Sequence, residues 1–125
     1  MTSNIGLIVF GHGSTVESAN QAVRDTATQM ALSGGYPLVE TAFLEGGKPE
    51  LGDAARTLVE RGATRLVVIP YFLTLGMHLK RDLPKLADEV RVALGVPLEV
   101  TPPLDGHPAL QQILLARAAE AISPT

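Results

Sequence analysis

Short apolar runs alternate along the chain with longer stretches in which apolar residues recur every three or four positions. Four of these runs are bounded by glycine, proline or polar residues, which predicts β-strands, and the clearest, Arg65–Pro70, is rich in β-branched residues. The predicted strands are Ile5–Phe10, Leu38–Leu44, Arg65–Pro70 and Pro97–Thr101. A run that stays apolar at successive positions is typical of a strand buried on both faces, as in a parallel sheet covered by helices.

The stretches between and after these strands predict four helices, with proline and glycine near their ends. The helices are Glu17–Leu32 before Gly34 and Gly35, a segment opened by Pro49 and closed by Gly62, a segment capped by Asp82 with Pro84 in its first turn and Gly95 at its end, and a segment started by Pro108. A loop over Tyr71–Lys80 is expected to precede the third helix. The fourth helix is expected to bury Leu110, Ile113, Leu114, Ala118, Ala121 and Ile122.

The order βαβαβαβα predicts an α/β fold, with a four-stranded parallel sheet in the order 2-1-3-4 and helices on both faces. We expect residues 1–125 to form one domain, since 125 residues is an ordinary length for a single one. In such folds, ligands bind beyond the carboxyl ends of the strands, near the point where the strand order reverses. The loops after the strands are therefore the place to look for chemistry.

The amino-acid composition argues against several classes of function. The chain has no cysteine, which excludes thiolate zinc sites, iron–sulfur clusters and cysteine nucleophiles. It carries 10 basic and 13 acidic residues, few aromatic residues and no tryptophan, so a nucleic-acid partner is not expected. Its apolar runs are shorter than the roughly 20 residues that a transmembrane helix needs, so we expect no membrane partner and a cytoplasmic location.

Three chemically capable side chains follow predicted strands. His12 lies between two glycines after the first strand, Glu45 follows the second, and His78 lies in the loop after the third. Two imidazoles and one carboxylate suit divalent first-row metals with open coordination positions, so these residues are a candidate metal site. The third histidine, His107, precedes Pro108 at a helix start, where a local structural role is the better expectation.

Other sequence features leave two further readings open. Ser14 lacks the G-x-S-x-G context of a nucleophile elbow, but a serine hydrolase using Ser14, a histidine and Asp105 remains an alternative. Lys48, Lys80 and Arg81 lie near the same predicted edge of an acidic chain, an arrangement that would attract a ligand with several carboxylates. The alternative is that these basic residues have no ligand and simply lie on a solvent-exposed helix surface. We prefer this alternative for the neighbouring Lys85.

Taken together, these motifs resemble the short form of the sirohydrochlorin cobaltochelatases, within the ATP-independent class II tetrapyrrole chelatases. The resemblance covers nearly the whole chain. It rests on Leu7–Ser14, Ala42–Glu45 with Pro49, Val67–His78, Asp82–Pro84 and Pro103–Pro108. The chain departs from the common family pattern at residues 15–17, which bears on contacts at the rim of the substrate site.

The resemblance implies insertion of a divalent metal, cobalt first and iron or nickel next, into sirohydrochlorin or a related tetrapyrrole without ATP. It implies that His12 and His78 bind metal and act at the pyrrole nitrogens, with Glu45 as a further ligand or proton acceptor. Ser14, Lys48, Lys80 and Arg81 are then candidate contacts to the tetrapyrrole. A carrier that binds metal or macrocycle without turnover would use the same residues and is the alternative from another functional class.

The family's short members also imply a homodimer. One small domain offers a single flank to a wide macrocycle, so a second copy would complete the cleft. We expect the interface to draw on the apolar residues after the third strand, which are Tyr71, Phe72, Leu73, Leu75 and Met77. The alternative is that these residues fill the core of their own chain, and for Phe72 and Leu73 the two expectations are nearly balanced.

Overall fold

The four strands form one parallel sheet in the order β2-β1-β3-β4, which confirms the predicted topology. The structure is a computed structural model and describes residues 4–123. The strands are β1 (Ile5–Gly11), β2 (Val39–Phe43), β3 (Arg65–Pro70) and β4 (Leu98–Val100). Each lies within a few residues of its predicted bounds, because the apolar runs that cross the sheet are unambiguous in the sequence.

The helices alternate with these strands as predicted, and α1 and α4 begin at the predicted residues, whereas the starts of α2 and α3 differ. They are α1 (Glu17–Gly34), α2 (Leu51–Glu60), α3 (Met77–Leu94) and α4 (Pro108–Ile122). Gly35 and Gly95 end α1 and α3 in the left-handed conformation, with φ of 70° and 66°. The prediction that glycines end these two helices is therefore confirmed, since the left-handed conformation is costly for residues with a Cβ.

The predicted start of α3 at Asp82 is wrong. The helix begins five residues earlier at Met77, so residues 77–80 are helical and Pro84 lies inside the helix. Gly76 provides the extended N-cap position, and its carbonyl accepts a hydrogen bond from the Lys80 amide at 2.9 Å. Proline marks a first turn because it lacks an N–H, but one such residue is tolerated inside a helix that tertiary packing holds.

The main core lies between the sheet and the helices α2 and α3. Ile8, Phe10, Leu66 and Val68 point to this side and are completely buried. The opposite side of the sheet carries α1, which covers β1 and β2 through contacts such as Val23 against Gly11. Helices thus cover both faces of the sheet, in agreement with the prediction.

The prediction that α4 buries an apolar face is wrong for this chain on its own. No residue of α4 is buried, and the side chains expected to be inside are exposed, apart from the half-buried Leu110. Ile113 and Leu114 expose 55% and 63% of their surface. No helix among residues 4–123 is long and apolar enough to cross a membrane.

Candidate active site

The register of the sheet places His12 beside Glu45. Gly11, the last residue of β1, pairs with Phe43, the last residue of β2. The ladder continues past both strands, since the Leu44 amide donates to the Gly11 carbonyl at 3.0 Å and the Glu45 amide donates to the His12 carbonyl at 2.9 Å. Two residues that are 33 positions apart in the sequence thereby become neighbours at the carboxyl edge of the sheet.

Gly13 is the residue that allows this close approach. Its φ of 91° is in the left-handed region, and a Cβ on it would lie 1.5 Å from the Glu45 carbonyl oxygen. Any other residue would force the two loops apart or strain the backbone. Gly13 therefore has a physical function, which is to let the loop that carries His12 lie directly against the loop that carries Glu45.

The side chains of His12 and Glu45 form a pair that is open to solvent. The His12 Nε2 atom lies 3.4 Å from a Glu45 carboxylate oxygen, and the two side chains expose 59% and 70% of their surface. An imidazole nitrogen and a carboxylate oxygen at this separation offer two ligands to a divalent cation, or a base and a proton acceptor. Because both groups are exposed, a cation held between them could be both acquired and released.

His78 lies in the first turn of α3, and its Nδ1 atom is 3.3 Å from the Arg81 guanidinium. A guanidinium donates hydrogen bonds and accepts none, so in this arrangement Nδ1 is the acceptor and the neutral ring carries its proton on Nε2. No group of three or more histidine, aspartate or glutamate side chains within residues 4–123 is placed to hold a metal ion. The structure brings His12 and Glu45 together, whereas a three-ligand set that includes His78 stays a prediction.

Asn20 connects the two loops that carry His12 and Glu45, and sequence reasoning missed it. This side chain in α1 is only 2% exposed. Its Oδ1 accepts a hydrogen bond from the Ser14 amide at 2.9 Å, and its Nδ2 donates to the Ser14 carbonyl at 2.9 Å and to the Gly46 carbonyl at 3.1 Å. A polar residue on the buried side of a predicted helix was the signal that could have found it.

Phe72 brings the loop after β3 to the same place. Its ring meets the His12 ring edge-on, with centroids 6.5 Å apart, and lies 6.2 Å from the Phe10 ring. Phe72 and Leu75 pack against the core, while Tyr71, Leu73 and Met77 are exposed. The five apolar residues predicted for a dimer interface therefore divide into two that support their own chain and three that face outward.

Two of the three predicted basic contacts already have acidic neighbours. The Lys48 ammonium lies 3.0 Å from Glu50, which raises the pKa of Lys48 through a side-chain hydrogen bond. The Arg81 guanidinium donates to Asp82 at 3.0 Å, and this hydrogen bond lowers the pKa of Asp82. Within the described residues Lys80 forms no ion pair, so it is the predicted basic contact with the least compensated charge.

Ser14 and His107 have local structural contacts. The Ser14 hydroxyl accepts a hydrogen bond from the Val16 amide at 3.0 Å, and no hydrogen bond between Ser14 and a histidine occurs in the described part of the chain. A serine–histidine pair, which the hydrolase alternative requires, is therefore not assembled. The Nδ1 atom of His107 accepts from the Ala109 amide at 3.0 Å and caps α4, which confirms its expected structural role.

The sequence matches a known family over nearly its whole length. The family model described as CbiX matches residues 6–121. The chain is 34% identical over 119 residues to a protein named sirohydrochlorin cobaltochelatase from Sulfolobus acidocaldarius, covering 95% of this chain and 94% of that one. It is also 34% identical over 119 residues to the chloroplastic sirohydrochlorin ferrochelatase of Arabidopsis thaliana, of which it spans 53%.

Solved structures share the fold. A structure from Marinobacter aquaeolei VT8 that carries the name CbiX superposes with a TM-score of 0.86 at 21% identity, covering 97% of this chain and 99% of that one. The sirohydrochlorin chelatase SirB of Bacillus subtilis subspecies spizizenii, solved in complex with cobalt, gives a TM-score of 0.84 at 22% identity. This chain covers half of SirB, 50% of its length, and is itself matched over 94%.

Proposed function

We propose, from the premise that this chain belongs to the CbiX family, that it inserts a divalent metal into sirohydrochlorin or a closely related tetrapyrrole without ATP. Cobalt is the first candidate, because a relative that matches over nearly its full length is named a cobaltochelatase. Iron is the second, because the plant relative is named a ferrochelatase. Imidazole and carboxylate ligands accept both metals, so the donor set does not choose between them.

The observation that carries this proposal is the His12–Glu45 pair at the carboxyl edge of the sheet. Insertion of a divalent metal requires a cation near the macrocycle and an acceptor for the two pyrrole protons that leave. One proton can pass to a histidine near neutral pH, with the carboxylate beside it stabilising the resulting imidazolium, and the other can pass to water, which reaches the exposed pair. The 3.4 Å separation of His12 and Glu45 places these two capacities at one point.

His78, in the first turn of α3, has a distinct proposed role. It would approach the cation or a pyrrole nitrogen once its ring is released from Arg81, which lies 3.3 Å from its Nδ1 atom. A substrate carboxylate that engages the Arg81 guanidinium would release it, because the guanidinium pairs more strongly with a carboxylate than with a neutral ring. Substrate binding and completion of the ligand set would then be coupled.

We propose that the active form is a homodimer in which the loops of two copies face a shared cleft. Tyr71, Leu73 and Met77 are exposed beside the candidate site, which supports an apolar contact there. A two-fold dimer is the commonest soluble assembly, and a specific interface of this kind buries more than about 1,000 Å². Light scattering at micromolar concentration tests this, and a mass near 13 kDa with full chelatase activity would contradict it.

The test of the reaction is a spectrophotometric insertion assay with sirohydrochlorin and cobalt, ferrous iron or nickel in turn. We expect His12→Ala and His78→Ala to abolish insertion with the fold retained, since exposed loop and helix-start side chains contribute little to packing. Retained insertion in His78→Ala would remove that residue from the mechanism.

Ser14→Ala is the matched control, because it removes a side chain from the same loop without touching the His12–Glu45 pair. It should reduce insertion far less than the histidine variants do. Binding of metal or macrocycle by the unmodified chain, without release of a metallated product, would replace the chelatase proposal with the carrier alternative. Insertion that depends on Ser14 and not on His12 would contradict the assigned site.

A further inference from the structure

The Phe72 ring lies between the hydrophobic core and the candidate site. Its centroid is 6.2 Å from the centroid of the Phe10 ring, which is completely buried. On its other side, the Phe72 ring meets the His12 ring at 6.5 Å, with an angle of 77° between the ring planes. An edge-to-face pair of rings is attractive, because the positive edge of one ring meets the negative face of the other. Phe72 therefore contacts an exposed side chain of the site from a position that the core defines.

The backbone on both sides of the Phe72 ring is hydrogen-bonded to neighbouring segments. The Tyr71 amide donates to the Phe10 carbonyl at 2.7 Å, one residue before the end of β1. The Phe72 carbonyl accepts a hydrogen bond at 2.9 Å from the Leu104 amide, in the loop after β4. The side chain of Phe72 also packs against the main core. Because of these contacts, Phe72 can support a neighbouring ring without moving with it.

Within residues 4–123, the His12 ring has few contacts that restrict it, and its side chain exposes 59% of its surface. The Nδ1 atom of His12 lies 3.2 Å from the Gly13 carbonyl oxygen, which can only accept a hydrogen bond. In the neutral ring Nδ1 therefore carries the proton, and Nε2 has the free electron pair. Nε2 is also the atom that lies 3.4 Å from the Glu45 carboxylate. The nitrogen that can bind a cation or accept a proton is thus the one beside Glu45.

A single rotation of the His12 ring would abolish this arrangement. Half a turn about the bond between Cβ and Cγ places ring carbons where Nδ1 and Nε2 now lie, so the contacts with Gly13 and Glu45 are lost together. The edge-to-face contact with Phe72 opposes this rotation. A contact of this kind favours its own geometry by about twofold to tenfold.

We propose that Phe72 is a positioning residue for His12, which holds the imidazole ring so that Nε2 faces Glu45. This rests on the proposed function in so far as His12 takes part in metal insertion. Phe72 has no polar side-chain atom to offer a metal or a proton, so it acts through His12. The two roles considered from the sequence, core filling and contact between copies, assign no such effect to the ring.

Three substitutions separate positioning from packing. Phe72→Leu keeps an apolar side chain on the core and removes the aromatic ring, whereas Phe72→Tyr keeps the ring. Leu94→Ala is the control for lost stability, because Leu94 is half-buried and packs against the same core. It is the last residue of α3, which has 18 residues and begins beside His78, so it lies roughly 25 Å along the helix from the site.

Nitrogen NMR of the histidine rings is the primary test, because it reports which nitrogen carries the proton. The His12 signals are assigned by their loss in His12→Ala. At a pH where the histidines are neutral, the unmodified chain, Phe72→Tyr and Leu94→Ala should all show His12 with its proton on Nδ1. Phe72→Leu should show a mixture of the two tautomers, and unchanged signals in this variant would overturn the proposal. A mixture in the unmodified chain would also overturn it, and that result needs no variant to fold.

Cobalt binding and insertion kinetics measure the consequence for the site. Titration with cobalt(II) alone should show binding weakened about twofold to tenfold in Phe72→Leu, and unchanged binding in Phe72→Tyr and Leu94→Ala. In the insertion assay, Phe72→Leu should lower kcat by a similar factor and leave KM for the tetrapyrrole unchanged.

Two kinetic results would overturn the positioning role. A raised KM with an unchanged kcat in Phe72→Leu would make Phe72 a contact to the macrocycle, and equal losses in Phe72→Leu and Leu94→Ala would make its role structural only. Cobalt binding that is insensitive to His12→Ala would instead contradict the proposed function. The ring spectra would still decide the orientation of His12 in that case, so the two failures are distinguishable.

Discussion

Replacing Asn20 by leucine tests whether the position of His12 relative to Glu45, and not the stability of the fold, limits the rate of chelation. The substitution keeps the branching and the number of heavy atoms of a side chain that is 2% exposed, and it removes three hydrogen bonds to Ser14 and Gly46. The affected backbone groups belong to the loops that carry His12 and Glu45. Since no other side chain within residues 4–123 bonds to the Ser14 amide, that loop loses its hydrogen bond to α1.

The expected loss in the free energy of unfolding follows from the three hydrogen bonds that are removed. A neutral hydrogen bond contributes a net of about 1 kcal/mol, and leaving a buried partner without one costs somewhat more. Ser14 is half-buried and Gly46 is exposed, so water can reach part of what is freed. We expect the free energy of unfolding to fall by about 2–3 kcal/mol, which lowers Tm by roughly 10 °C in a domain of this size. The fold should persist, because the apolar core is untouched.

The assay combines three readouts on Asn20→Leu. Amide exchange at Ser14 should accelerate, the chelation rate should fall at least tenfold, and thermal unfolding should remain cooperative. Val90→Ala provides the control, because it removes apolar volume from a buried position in α3 and costs about 2 kcal/mol with no contact to either loop. It should lower Tm similarly and leave chelation intact.

Two results would refute this reasoning. Unchanged protection of the Ser14 amide in Asn20→Leu would mean that the loop is held by something other than Asn20. Equal losses of chelation in Asn20→Leu and Val90→Ala would mean that general destabilisation, and not the position of His12 relative to Glu45, limits the rate. Asn20 is a positioning residue if the two variants differ in chelation at similar Tm.

Three further predictions follow from contacts at the edge of the site. His107→Ala should reduce the helicity measured by circular dichroism and cost about 1 kcal/mol, whereas His107→Asn should retain the cap, so equal effects would argue against capping. Arg81→Gln should raise the pKa of Asp82 in an NMR titration, because it removes the hydrogen bond that lowers it, and an unmoved pKa would contradict that cause. Lys80→Glu with Arg81→Glu should weaken tetrapyrrole binding, and binding by the unmodified chain should fall as salt rises, since exposed charges are screened beyond about 8 Å. Binding that is insensitive to both changes would place the carboxylate contacts elsewhere.

The fold could be predicted because its signals are local. The runs at Ile5–Phe10 and Arg65–Pro70 are apolar at successive positions, and the crossover rules then fix the strand order. The start of α3 was predicted wrongly because Pro84 carries a strong positional preference that tertiary packing overrode. Helix starts depend on a few residues, whereas strand order depends on the whole pattern, so the two differ in how reliably a sequence defines them.

The candidate site also has one part that the sequence predicts and one part that it does not. The placement of His12 beside Glu45 follows from strand order and loop position, both of which the sequence carries. The hydrogen bonds of Asn20 could not be predicted in this way, because a buried asparagine on a helix is informative only when the backbone groups that it bonds to are known. The contact between Arg81 and His78 is of the same kind, since it depends on where α3 begins.

Helix α4 shows what a hydrophobic pattern does and does not encode. Its apolar residues predicted a buried face, and no residue of α4 is buried in this chain, because periodicity contains no information about what covers an apolar face. In a chain whose sheet is covered by its own helices the distinction is without consequence. Here it matters, because α4 is uncovered within residues 4–123. The pattern therefore predicts the apolar surface of α4, whereas the burial of that surface depends on packing partners that the pattern does not specify.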